Sequence, residues 1–187
     1  MRLVIGLGNP GPHYALTRHN VGFIFLDRLC HVLKCYKWSR NKNYLWNEVE
    51  ITKKKIFLVK PMTYMNLSGE IFPDVLHSFN VKINDIIVVY DDINIPLGSL
   101  RIRKKGSDGG HKGMRSIINA LGTQNIPRIR IGIGPKPSSI STVDYVLSEF
   151  TEDELEIVFS VLNKAIEALK VIMNEGIEKA MSLYNSL

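Results

Sequence analysis

The chain has 187 residues, with 24 Lys plus Arg against 18 Asp plus Glu and a net charge of +6, and its length falls within the roughly 50–250 residues of one compact domain. At 45% hydrophobic and 22% charged residues its composition is globular, which excludes a fibre or a disordered chain. No apolar run approaches the roughly 20 residues of a membrane helix, and two cysteines, Cys30 and Cys35, are too few for a disulfide framework.

The N-terminal residues lack the apolar length of a secretory signal and read as a first strand. The expectation is therefore a cytoplasmic protein with a single domain over 1–187. Its charge is uneven. Residues 99–136 carry nine bases and one acid, Asp108, whereas residues 137–187 carry three bases and nine acids. A short basic stretch rich in glycine attracts a polyanion and lets backbone amides approach phosphate; a solvated lysine face is the plain alternative.

In chain order, Leu3 to Leu7 reads as a buried strand, and Asn20 as the cap of a helix running to about Lys34. Trp46 to Ile51 and Ile56 to Val59 predict two strands joined across Thr52–Lys55. Ser68 to Phe79 predicts a short helix with Pro73 in its first turn or at a kink. Ile86 to Tyr90 is the clearest central strand, ending in Asp91-Asp92, and ligands of open α/β sheets bind at such ends. Leu100 to Arg103 alternates as an edge strand, Lys112 to Leu121 is helical, and Arg128 to Ile133 alternates again. Thr151-Glu-Asp-Glu154 is a capping box that opens a long amphipathic helix, interrupted at Gly176. Strands alternating with helices predict one three-layer α/β/α domain with a mixed, mostly parallel twisted sheet.

Four runs could carry chemistry. Gly6-Leu-Gly-Asn9-Pro-Gly11 fits the letters of a dinucleotide fingerprint, but Pro10 and Pro12 remove amide donors and no helix follows at once. A rigid turn presenting Asn9 fits better. In Thr17-Arg18-His19-Asn20, His19 precedes a helix N-terminus, whose partial positive charge keeps the ring neutral and basic. A carboxylate from Asp91-Asp92 would fix its tautomer. In the run from Lys60 to Gly69, Asn66 is either an N-cap or an amide that binds a carbonyl or ribose. Gly106 to Gly113 lacks the Gly-Lys-Ser/Thr of a phosphate-binding P-loop and reads as a mobile loop beside a phosphate-bearing ligand, or as a plain connection. No serine-nucleophile elbow and no zinc motif occurs, and Cys30 and Cys35 are expected on different faces of one helix. A histidine-activated water is the most economical hydrolytic mechanism left.

Those runs, with Tyr14, Asp91-Asp92, Pro96 and Gly98, Gly109-Gly110-His111, Arg128 to Gly134 and Asp144 to Leu147, resemble the bacterial peptidyl-tRNA hydrolase family in family order along almost the whole chain. The resemblance implies cleavage of the ester between a peptide and tRNA, without metal or cofactor, by a monomer. His19 would be the base and Asp91 its support. Asn9 would lie near the scissile carbonyl and accept from the peptide N–H, and Asn66 would bind the substrate backbone or stabilise the oxyanion. Tyr14 and Tyr64 would line the acceptor-end site, with His111 and Lys112 as further tRNA contacts. Arg103 and Arg130 would grip a phosphate of the acceptor stem. Lys112 stands where the family has asparagine, and Ser148 where it more often has glycine. Two rival readings are a non-catalytic RNA-binding protein using residues 99–136 and a nucleotide-binding oxidoreductase using the first glycine run.

Overall fold

The computed structural model describes residues 2–185. Its centre is a seven-stranded sheet in the order β2-β3-β4-β1-β5-β7-β6. The strands are β1 (Leu3–Gly6), β2 (Ser39–Arg40), β3 (Tyr44–Ile51), β4 (Lys54–Pro61), β5 (Ile86–Pro96), β6 (Leu100–Arg103) and β7 (Arg128–Gly134). The pairings β1–β4, β1–β5 and β5–β7 are parallel, while β3 and β6 run against their neighbours. With β2–β3 also antiparallel, the sheet is mixed as expected, its six pairings divided equally between parallel and antiparallel. Among the described residues no helix is long and apolar enough to cross a membrane.

Strand alternation divides the core into two layers. Val4, Ile87, Val89, Ile129 and Ile131 face helices α1 (Val21–Leu33) and α5 (Glu152–Glu175). Leu3, Ile5, Val88 and Tyr90 face the other side, where α2 (Phe72–Ser78) and α3 (Lys112–Leu121) pack. Two further helices, α4 (Thr142–Leu147) and α6 (Ile177–Tyr184), flank α5 in sequence. The Thr151–Glu154 capping box is present, and Gly176, at φ 95°, separates α5 from α6.

Several expectations change in detail. The β3–β4 turn is Thr52-Lys53 alone, both left-handed at φ 51° and 61°, as a two-residue hairpin of this twist requires. The segment expected as one helix from Ser68 is instead a 3-10 helix, Met65–Ile71, followed by α2 with Pro73 in its first turn. Gly69 lets this 3-10 segment lie against α3, because a Cβ there would meet the Ser116 carbonyl at 2.2 Å. Cys30 and Cys35 do not share one helix: α1 stops at Leu33, left-handed Lys34 reverses the chain, Cys35 N donates to the Cys30 carbonyl at 2.9 Å, and both side chains pack against the same core. Burial pushes the Cys30 thiol up to about 12.

The first glycine run serves packing. The chain after Gly11 enters a 3-10 turn, Pro12–Tyr14, and not the helix a dinucleotide site needs. Gly22 at the start of α1 lets the helix touch β1 and β5, since a Cβ would lie 2.4 Å from both Leu7 N and Val89 O. Gly22→Ala should therefore cost at least about 2 kcal/mol by overpacking. Urea denaturation measures this, and an unchanged midpoint would contradict the close-approach account.

Candidate active site

The site forms where β1 stops. The register of β1 with β5 ends at Gly6 and Val89, but β5 continues to Pro96, so Asp91 and Asp92 lie inside a strand and beyond the end of its neighbour. This corrects the expectation that the strand ends at the acid pair. Alternation sends the two carboxylates to opposite faces, and they take different partners.

Asp91 is buried at 2% exposure and is held by two histidines. His19 Nδ1 lies 2.9 and 3.0 Å from its two oxygens, and His111 Nε2 lies 2.9 Å from Oδ1. His19 comes from the 3-10 turn Arg18–Asn20 leading into α1, and His111 is the N-cap of α3. Each helical layer thus supplies one ring, with centroids 4.8 Å apart. The Met114 N–H donates to His111 Nδ1 at 3.2 Å, so the other nitrogen, Nε2, carries the proton that Asp91 accepts. His111 is therefore a partner of the carboxylate, beyond the substrate contact read from the sequence.

For His19, Nδ1 is the donor to Asp91 and Nε2 is left with its lone pair, without a hydrogen-bond partner among the described residues, in a residue that lines the cleft. Burial lowers the pKa of His19, but the charge and hydrogen bond of Asp91 outweigh it, and the net effect is a rise above 6.5. The Lys112 ammonium acts in the opposite direction. The carboxylate overrides the helix N-terminus as the controlling field. Burial raises the Asp91 carboxyl, yet the two histidines outweigh it and hold it well below the usual carboxylate range.

Asp92 accepts from Arg130 Nε at 2.6 Å and from the Asn94 N–H at 2.8 Å. Arg130, expected as a free phosphate grip, is thus partly neutralised. Antiparallel pairing sets Arg101 opposite Arg130 and Arg103 opposite Arg128, so four arginines share one face of β6–β7. Arg128 is consumed by the carbonyls of Ile126, Ser107 and Gln124. Among the described residues the Arg103 side chain hydrogen-bonds to the Ile102 carbonyl, and it does not line the cleft. Like charges directly opposite are unfavourable in a sheet, and here the carbonyls around Arg128 and the carboxylate of Asp92 offset two of the four.

The cleft has a volume of about 1020 Å³ and takes in Asn9, His19, Tyr64, Asn66, His111 and Lys112. Tyr14 does not line it. Asn9 is clamped by Asn20, whose side chain accepts from Asn9 N at 2.8 Å and donates to Asn9 O at 3.0 Å. Asn20 therefore makes no side-chain cap on α1. Asn9 Oδ1 accepts the Met65 N–H at 2.8 Å, which fixes the amide and leaves Nδ2 as the group available to the cleft. The oxygen expected to accept from a substrate is thus already engaged by the Met65 N–H. Asn66 is exposed in the first turn of its 3-10 helix, whose N-cap is Tyr64, so it is no cap.

The glycine loop is fastened by Asp108, which accepts from the Gly110 N–H at 2.6 Å and from Arg115 at 3.1 and 3.2 Å. Opposite it, Val143, Val146 and Leu147 of α4 give the cleft an apolar wall. Sequence reasoning assigned these three no role; their i, i+3, i+4 spacing on a short helix was the available signal. His19, Asp91 and His111 form the one cluster of metal-ligand type among the described residues. The nitrogens facing Asp91 carry protons, which suits a hydrogen-bonded relay better than a cation.

Because Asp91 raises the pKa of His19, the stabilisation from this pair is fully present below pH 6.5 and is lost as pH rises through the higher folded value. Asp91→Asn removes the charge, and an NMR titration should show His19 deprotonating at lower pH than in the parent. A midpoint that stays or moves upward would contradict the pairing.

A family profile described as peptidyl-tRNA hydrolase matches residues 3–187. The peptidyl-tRNA hydrolase of Thermotoga sp. (strain RQ2) is 58% identical over 185 residues, covering 99% of this chain and 97% of the relative. That of Pseudothermotoga lettingae is 52% identical over 186 residues, covering 100% and 97%. Among solved structures, the peptidyl-tRNA hydrolase from Acinetobacter baumannii superposes with a TM-score of 0.91 at 29% identity, covering 100% of this chain and 95% of that one. With the glycine-run packing, the paired histidines and these full-length likenesses together, the chain belongs to the peptidyl-tRNA hydrolase family.

Proposed function

We propose that this protein hydrolyses the ester of peptidyl-tRNA with His19 as the general base, acting as a cytoplasmic monomer in which residues 1–187 work as one domain. The observation that carries the reading is the arrangement at Asp91: it accepts a hydrogen bond from His19 Nδ1 and leaves Nε2 without a partner among the described residues, in the cleft. A water bonded to Nε2 loses its proton to the ring as its oxygen attacks the ester carbonyl. Asp91 stabilises the imidazolium that results, and the raised pKa strengthens the base near neutral pH. When the intermediate collapses, the ester C–O bond breaks, and the proton held at Nε2 passes to the ribose oxygen of the departing tRNA.

Two amides can hold the acyl part. Asn66 is exposed in the cleft and suits the developing oxyanion, a contribution of about 3 kcal/mol for one donor. Asn9 offers Nδ2, which can donate to the carbonyl that a blocked amine carries and a free amine lacks. Lys112 adds a positive charge that disfavours the ammonium of an aminoacyl group and favours the phosphates of the 3′ end. Tyr64, 59% exposed at the rim, provides a surface on which a base can stack. The arginine face of β6–β7, with Arg103 and Arg130, is the grip for an acceptor-stem phosphate. Such a grip reads position and not base identity, as an enzyme acting on many tRNAs requires.

The deciding assay compares N-acetyl-aminoacyl-tRNA with free aminoacyl-tRNA. The parent should release the acyl group from the first and spare the second, and His19→Ala should lose turnover while tRNA binding persists. Turnover by His19→Ala would remove the base assignment. Arg103→Ala should raise KM and reduce the salt slope by about one; an unchanged slope would remove it from the grip.

A further inference from the structure

Arg18, the residue before His19, is buried with a side-chain exposure of 8%. Its Nη2 donates to both oxygens of Glu154, at 2.7 and 2.6 Å. Its Nη1 donates to Ser148 Oγ at 3.0 Å and to the carbonyls of Ser148 and Glu149. The rings of Tyr145 and Phe150 flank the guanidinium, 4.7 and 5.1 Å from its carbon. The backbone follows the same course: Arg18 N donates to Ser148 O at 3.0 Å, and Phe150 N donates to Leu16 O at 3.1 Å. All these partners lie between Tyr145 and Glu154, at the end of α4 and the first turn of α5.

Burying a charge pair gains little net stability, because desolvation offsets the attraction, but a guanidinium held by a carboxylate on one nitrogen and by three oxygens on the other is confined to one geometry. The group so constrained stands one residue from His19 in a three-residue 3-10 turn. We propose that Arg18 is a positioning residue of the reaction, fastening the turn that carries His19 to the α4–α5 junction so that the imidazole is set against Asp91. The proposal rests on His19 being the base. It also gives the Ser148 side chain a task. The Ser148 hydroxyl accepts from Arg18 and donates to the Tyr145 carbonyl at 2.7 Å, adding a bond that glycine cannot make.

Glu154 has two tasks, and they can be separated. It accepts from Arg18, and it completes the capping box by accepting from the Thr151 N–H at 2.8 Å. Glu154→Gln keeps the box, since glutamine serves at this position, but removes the charge facing Arg18. Thr151→Ala does the reverse.

The test measures hydrolysis of N-acetyl-aminoacyl-tRNA by the full chain across a pH series, together with thermal melts. Glu154→Gln and Arg18→Lys should lower kcat at least about tenfold, as misplacement of a catalytic group does, with KM within about twofold. The groups facing His19 are Asp91, His111 and Lys112. A ring that slips from Asp91 loses the interaction that raises its pKa, so the acid limb of kcat/KM should move to lower pH. Ser148→Gly should show the same changes in smaller measure. Thr151→Ala should lower the melting temperature but leave kcat and the acid limb in place. If Glu154→Gln melts earlier yet keeps the parent kcat and acid limb, Arg18 is scaffold alone and the proposal fails. A loss confined to KM also overturns it, by assigning Arg18 to the α4 wall. Turnover by His19→Ala is a separate result, which removes the base and not the Arg18 tether.

Discussion

A single buried carboxylate organises this molecule's functional end. Asp91 projects from β5 just past the end of β1, where the sheet leaves a crevice between its two helical layers. His19 reaches it from the α1 layer and His111 from the α3 layer. An uncompensated carboxylate in that place would be costly. Two histidine donors compensate it, and in doing so they fix each other's protonation. Because α3 uses His111 Nδ1 as its N-cap acceptor, the choice of tautomer propagates from a helix terminus, through Asp91, to the free nitrogen of His19.

The electrostatics of the wider surface follow a similar division of labour. The nine bases of residues 99–136 do not act as one field. Arg128 is spent on loop carbonyls, Arg115 on Asp108, Lys104 on Glu178 and Arg130 in part on Asp92. The other five are Arg101 and Arg103 on β6, Lys105, Lys136 and Lys112, and of these Lys112 lines the cleft. Within the acidic segment 137–187, α4 lends the cleft its apolar wall and the rest packs against the sheet. α5 fills the core, and Asn185 satisfies the backbone of edge strand β6 through both the N–H and the C=O of Ile102.

Periodicity made most of the fold legible. The α3 and β6 bounds match their apolar patterns, and the α5 start was marked by its capping box. Short elements without a period escaped: the two-residue β2, the one-and-a-half turns of α4 and the 3-10 segments are held by tertiary contacts that no local pattern records. The site residues were visible as polar letters at strand ends, but their roles depended on partners distant in sequence. That Asn9 presents its amino group follows from Met65, 56 positions away, and that Arg130 faces Asp92 follows from the β5–β7 register. Asn20 looked like a cap and is a clamp, because the adjacent turn supplies the helix with its start and Asn9 supplies the side chain with two better partners.

The central claim is a statement about protons on two rings, so the most direct measurement is a nitrogen-15 NMR determination of histidine tautomers in the free protein above the His19 pKa. The account predicts that neutral His19 carries its proton on Nδ1 and His111 carries its proton on Nε2, both facing Asp91. Neutral His19 protonated on Nε2 would leave no lone pair in the cleft and would contradict the account.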